Sequence, residues 1–194
     1  MSVKVKICGI RTMEAAQIAI DAGADFLGFN FVATSKRYIN PINAKKIINL
    51  VKGKVTVAGV FQDADLSYVN DLATNLGLDF VQLHGSEDNK YISQLNLPVI
   101  KSININDQPQ KIHAKYFLLD RPDRKGEMVN LETAAQLAAK FPIFFAGGLN
   151  PDNVIEVVKQ VRPFAVDIAG GIETEGVQDI KKIKLFIKNV KEAI

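Results

Sequence analysis

Tryptophan is absent from this 194-residue chain, histidine occurs twice and cysteine once, at Cys8. A lone cysteine excludes an internal disulfide, and zinc-ligand spacing of Cys and His is missing. No apolar run reaches the ~20 residues that a membrane span requires. The opening Met1-Ser2-Val3-Lys4-Val5-Lys6 enters an alternating strand at once, which leaves no room for the apolar region of a signal peptide. One cysteine without a secretory signal points to the reducing cytoplasm. The usual cofactor fingerprints are missing too: no Gly-x-Gly-x-x-Gly after a strand, no Gly-x-x-x-x-Gly-Lys-Ser/Thr and no Gly-x-Ser-x-Gly. We therefore expect neither cofactor nor metal. The net charge is only +3, and the one basic concentration, Lys181 to Lys191, reads as the solvated face of a terminal helix. Nucleic acid and membrane are accordingly not expected as partners.

What is present is ordinary globular composition, 47% apolar and 23% charged. Short β-branched apolar runs at 3–7, 26–31, 55–61, 80–83, 99–102, 116–119, 143–146 and 164–167 read as strands. Stretches of helical period lie between them at 13–22, 41–51, 66–76, 88–95, 107–113 (a poor one), 131–140, 151–161 and 177–194. Asn150-Pro151 is expected to cap the penultimate helix with proline at its first position. Ala22-Gly23-Ala24-Asp25 and Leu76-Gly77-Leu78-Asp79 repeat one helix-to-strand turn. Eight strand–helix units of about 24 residues each predict an α/β fold, one (β/α)8 TIM barrel of near-minimal size spanning 1–194. An open doubly wound sheet usually has five or six strands, so the count favours the barrel.

In such a barrel the strand carboxyl ends carry the chemistry. Cys8-Gly9 follows the first strand, where a thiol is either a small buried hydrophobe or a reactive group at the barrel mouth. The loop after the second strand holds Arg37, either a surface arginine or a planar fork for a substrate carboxylate. His84 follows the fourth strand and reads first as a satisfied loop histidine, with acid/base work as the alternative. Asp120 emerges from the sixth strand, paired with Arg121 or Arg124 or serving as a general acid. Gly147-Gly148 and Gly170-Gly171 follow the seventh and eighth strands, the second pair just beyond Asp167. Two glycine pairs one unit apart suit a phosphate held on backbone N–H groups, with the positive end of the next helix aimed at it. The predicted partner is a phosphorylated small molecule.

Lys6-Ile7-Cys8-Gly9-Ile10, Gly28-Phe29 leading to Ser35-Lys36-Arg37-Tyr38, and Gly59-Val60-Phe61 occur in that order. Val81-Gln82-Leu83-His84-Gly85, Leu118-Leu119-Asp120, Ala146-Gly147-Gly148-Leu149 and Val166-Asp167 through Gly171-Ile172-Glu173 follow. Together these motifs resemble the phosphoribosylanthranilate isomerase family of tryptophan biosynthesis over nearly the whole chain. The resemblance implies a cofactor-free Amadori rearrangement of an aldose derivative to a ketose. It implies Cys8 as general base at C2′ of the sugar, Asp120 as general acid at the ring oxygen and Arg37 on the anthranilate carboxylate. The amides of Gly147, Gly148, Gly170 and Gly171 would hold the phosphate, and the chain would be a monomer or a homodimer. Two segments depart from the family pattern. Arg121-Pro122-Asp123-Arg124-Lys125-Gly126-Glu127 replaces a Gly-Gly-Thr-Gly loop, and Ala169-Gly170-Gly171 replaces Ser-Ser-Gly or Ala-Ser-Gly. The second departure removes a hydroxyl from the expected phosphate site but leaves its amides accessible.

Two other readings stay open at this level. A sugar-phosphate epimerase would use paired carboxylates or a metal, neither of which the barrel mouth clearly offers. A catalytically silent phosphometabolite binder would keep Cys8 merely buried.

Overall fold

Each expected strand forms. In the computed structural model, which describes residues 2–120 and 129–193, β1 (Lys4–Cys8), β2 (Phe26–Asn30), β3 (Thr56–Phe61) and β4 (Phe80–Leu83) pair in parallel. The series continues through β5 (Val99–Ile103), β6 (Tyr116–Leu119), β7 (Ile143–Phe145) and β8 (Ala165–Ile168), and β8 pairs with β1 to close the barrel. Crossover helices α1 (Met13–Ala22), α2 (Pro41–Val51), α3 (Leu66–Leu76), α4 (Asn89–Ile92), α5 (Leu131–Ala138), α6 (Val154–Val161) and α7 (Ile180–Glu192) surround it. The repeated turn is real: Gly23 and Gly77 close α1 and α3 in the left-handed conformation. Asp25 then accepts from the Val5 N–H and Asp79 from the Val57 N–H, tying each new strand to the one before it.

Four expectations change. The segment between β5 and β6 holds only a one-turn 3-10 helix, Pro109–Lys111, because 12 residues containing a proline and an Asn104–Asp107 turn cannot seat an α-helix. The helix expected over 88–95 shrinks to one turn capped by Asp88. The penultimate helix starts at Val154 instead of 151. Asn150 accepts from the N–H groups of Asp152 and Asn153, so it organises a turn that precedes the helix. The last helix starts at Ile180, where Asp179 caps the Lys181 and Lys182 N–H groups. Residues 177–178, expected to be helical, form β10 (Val177–Gln178) against β9 (Glu173–Thr174). Glu175 and Gly176 both have positive φ, the backbone of a tight two-residue hairpin, and that pair outweighs the helical period. The loop at 121–127 lies outside the described residues.

Side chains alternate between the barrel interior and the helix layer. Outward Val5, Ile7, Leu27, Phe29, Val57, Val81, Phe117 and Val166 join Ile48, Ala73, Val157 and Phe186 of the helices in the main core. Inward Phe26, Ala58, Ile100, Leu118, Phe144 and Ala165, with Phe80, Tyr116 and Phe164, form a separate cluster inside the barrel. Its aromatic rings make edge contacts, Phe26 to Phe144 at 5.2 Å between centroids, and a stacked contact, Tyr116 to Phe164 at 4.6 Å. This plug seals the amino-terminal end and leaves the carboxyl end open. The lysines of α7 lie opposite its buried Ile183, Phe186, Ile187 and Val190, with Lys181, Lys184, Lys188 and Lys191 exposed. Among the described residues no helix is long and apolar enough to cross a membrane.

Phe144 is fully buried at the centre of the plug, in ring contact with Phe26, Tyr116 and Phe164. Phe144→Ala should lower the unfolding free energy by about 3–5 kcal/mol in urea denaturation, because the rigid barrel cannot collapse into the void.

Candidate active site

Continuing the same inward phase past the plug brings Cys8, Asn30, Val60, Gln82, Leu118, Ala146 and Asp167 to the strand ends. They line a cavity of about 760 Å³, joined by Arg37, His84, Asp120, Gly147, Gly148, Gly170 and Gly171. Cys8, Arg37, His84, Asp120, Asp167 and the two glycine pairs therefore line one space. Cys8 is half-buried and lines the cavity at its base.

Lys6, which the sequence reading passed over, lies beneath Cys8. It is fully buried, and its Nζ donates to Asp167 Oδ2 at 2.8 Å. The two residues are register partners across β1 and β8. Cys8 is likewise partnered with Gly28 across β1 and β2. A Cβ at Gly28 would stand 2.6 Å from the Cys8 sulfur and 3.2 Å from Lys6 Nζ, so only glycine leaves room for both groups. Burial pushes the Cys8 thiol above its ordinary value, and Asp167 adds to that, while the Lys6 ammonium pulls the other way. Burial also raises Asp167, against the opposing pull of Lys6. For Lys6, burial alone would lower the pKa, but Asp167 and Cys8 more than offset it and the ammonium is held charged.

Arg37 already has a partner. Its Nε and Nη2 both donate to the Glu173 carboxylate at 2.7 Å, a two-bond clamp between the β2 loop and β9. Glu173, also unassigned in the sequence reading, gathers Arg11 and Lys36 near it at 4.0 and 3.9 Å. Arg11 further donates to the backbone carbonyls of Lys36 and Gly176, which pins the hairpin over the rim. The glycine pairs meet as expected, but no long helix follows either one directly. Gly147 and Gly148 both adopt positive φ, and Gly170–Ile172 form a single 3-10 turn. A Cβ on Gly171 would collide with the Leu149 carbonyl, so the two loops touch. A short turn after β8 thus stands where a long helix was expected, since the hairpin delays α7 to residue 180.

His84 lies with its Nε2 2.6 Å from the Gln82 carboxamide nitrogen. A buried pair holds its loop: Glu87 accepts from the N–H groups of Asp63 and Gly85 and from Lys101 Nζ, and Lys101 also donates to the Gly85 carbonyl. The other histidine, His113, is exposed and does not line this cavity. Asp120 reaches the cavity from the end of β6, a strand not adjacent to the β1 of Cys8. Its expected partners Arg121 and Arg124 lie outside the described residues. Among the described residues no cluster of three His, Cys, Asp or Glu side chains is placed to hold a metal ion.

A thiol and a carboxyl lining one cavity above an aromatic plug, beside paired glycine loops, place the chain among (β/α)8-barrel proteins with a small-molecule site at the strand carboxyl ends. The family description "N-(5'phosphoribosyl)anthranilate (PRA) isomerase" matches residues 5–189. The chain belongs to that family, and is thus an aldose–ketose isomerase of tryptophan biosynthesis. It is 43% identical over 201 residues to an N-(5'-phosphoribosyl)anthranilate isomerase of Bacillus cereus, covering 97% of this chain and 98% of that one. The crystal structure of the Thermotoga maritima phosphoribosyl anthranilate isomerase superposes with a TM-score of 0.89 at 34% identity, covering 98% and 99% of the two chains. A phosphoribosyl anthranilate isomerase in complex with reduced 1-(o-carboxyphenylamino)-1-deoxyribulose 5-phosphate superposes at 0.86, with 33% identity and the same coverage.

Gly28→Ala tests the tight seat of the thiol. It should reduce kcat by about 100-fold through displacement of the sulfur, a shift of the order of 1 Å, while circular dichroism still shows a folded barrel.

Proposed function

We propose that Cys8 and Asp120 are the base and acid of the isomerisation of N-(5′-phosphoribosyl)anthranilate, carried by one catalytic domain spanning 1–194. The observation that supports this most directly is their common cavity: the two groups reach it from non-adjacent strands, with the glycine loops of β7 and β8 on the same rim. An aldose-to-ketose shift needs a proton taken from carbon and another given to oxygen, at different faces of the sugar.

Asp120 donates its proton to the ring oxygen, the C1′–O bond breaks, and the anthranilate nitrogen supplies the electron pair that forms the iminium. The Cys8 thiolate takes the proton from C2′, and the C–H electrons form the C1′=C2′ bond of an enolamine. Its enol collapses to the C2′ ketone as C1′ gains a proton. The amides of Gly147, Gly148, Gly170 and Gly171 hold the phosphate, so a remote anchor orients the reacting carbon. Arg37 takes the anthranilate carboxylate on its Nη1/Nη2 edge, because Glu173 occupies the Nε/Nη2 edge and fixes the plane of the guanidinium. His84 and Asp167 line the site without taking a proton from substrate. A thiol that has to remain reduced suits the cytoplasm.

The wild-type protein should turn over freshly prepared phosphoribosylanthranilate, and the absence of turnover would overturn this function. Cys8→Ser and Asp120→Asn should each lower kcat by about 10²- to 10⁴-fold with little change in the Kd of a product analogue. An unchanged kcat removes the role assigned to that residue. Arg37→Gln should act mainly on KM, raising it about tenfold or more, since it loses a charge-assisted contact remote from the reacting carbon.

A further inference from the structure

A cation buried in a barrel core next to the only thiol of the chain calls for an explanation beyond packing. Lys6 has three N–H donors, and Asp167 takes one of them through Oδ2, while Asp167 Oδ1 is buried with no hydrogen-bond partner among the described residues. The Lys6 Nζ also lies close to the Cys8 sulfur, and its positive charge favours the thiolate. Both atoms lie within 3.2 Å of the point where a Gly28 Cβ would stand. A structural ion pair could sit anywhere in the barrel and would add little stability over apolar side chains of the same size. This pair instead sits directly under the thiol.

We propose that Lys6 and Asp167 are positioning residues that set the charge of Cys8: Lys6 is the cation a buried thiolate requires, and Asp167 limits how much of that cation the sulfur receives. The proposal rests on the reading of Cys8 as the base. The thiol proton leaves through the cavity to solvent, and the resulting thiolate is held by the Lys6 N–H groups that Asp167 does not take. The other titratable groups round the cavity are Arg37 after β2, His84 after β4 and Asp120 after β6, with Glu173 behind Arg37. Of these, Asp120 and Arg37 act on Asp167 in opposite directions, while the charges acting on Cys8 are Lys6 and Asp167.

The two positions therefore pull the thiol in opposite directions. Removing Lys6 also leaves Asp167 to take up a proton, so both charges vanish. Because Lys6 acts on the sulfur more strongly than Asp167 does, the net effect is still a weaker thiolate. Removing Asp167 leaves the cation to the sulfur alone.

Cys8 is the single thiol, so iodoacetamide alkylation followed by intact mass against pH reads it without ambiguity. Lys6→Met should move the alkylation midpoint up by about one pH unit or more, and Asp167→Asn should move it down. An unmoved midpoint in a folded Lys6→Met variant, or shifts of the same sign in both variants, overturns the proposal. If Lys6→Met alone does not fold, Lys6→Met/Asp167→Asn removes both charges without leaving a lone buried carboxylate, and its midpoint should also lie above wild type. A double-variant midpoint at or below that of wild type counts against the proposal. Alkylation requires no turnover, so the two readings separate. Opposite shifts in a protein without isomerase activity would leave the charge-setting pair standing and remove the base role of Cys8. Normal turnover with unmoved midpoints would remove the pair alone.

Discussion

The barrel closes where β1 meets β8, and among the register partners at that seam are Lys6 and Asp167. An ion pair buried to this degree is costly to form and more costly to break, since either partner alone would be an uncompensated charge in the interior. The closing seam therefore also carries a charge pair of the site. On the other side of β1 its register with β2 pairs Cys8 with Gly28, and the strand alternation that turns Lys6 inward also points the sulfur into the cavity. A shift of one residue along this seam would turn Cys8 toward the helices and Ile7 toward the substrate.

A second ion pair does for the rim what this one does for the base. The Arg37–Glu173 clamp joins the loop after β2 to the hairpin that follows β8, and Arg11 fastens the same hairpin to the β2 loop. The hairpin delays α7, so the phosphate-side loop ends in a 3-10 turn against the Gly147-Gly148 loop rather than in a long helix. The side opposite is set by Glu87 and Lys101 under the His84 loop. The rim is thus built from buried or half-buried charge pairs between loops, on a base formed by an apolar plug.

Strand positions were legible because β-branched runs with period two are strong local signals, and eight of them in 194 residues leave few architectures. The motif residues were legible too, since they cluster at strand ends and glycine pairs. Lys6 shows how a readable signal passes unnoticed: it is two residues from Cys8 on one strand, so period two alone puts both on the same face. Glu173 carried no such cue, because its partner Arg37 is 136 residues away. The helix boundaries at 151–154 and 177–180 were misread where Asn150–Asn153 and Glu175-Gly176 form turns whose side chains and backbone compete with helical period.

By itself, the sequence determined the strand alternation, where each strand ends, and hence that Cys8, Asp120, Arg37 and four glycines lie at the strand ends and loops of one barrel face. These are local properties of alternation and turn chemistry. Only the tertiary structure decided which charges meet: Lys6 with Asp167 and Cys8, Arg37 with Glu173, Glu87 with Lys101. Those pairings depend on the register with which distant strands close, and on the low dielectric interior that turns proximity into shifted charge. A single thiol in the sequence says only that a nucleophile or base is available. The closed barrel decides that it sits beside a cation.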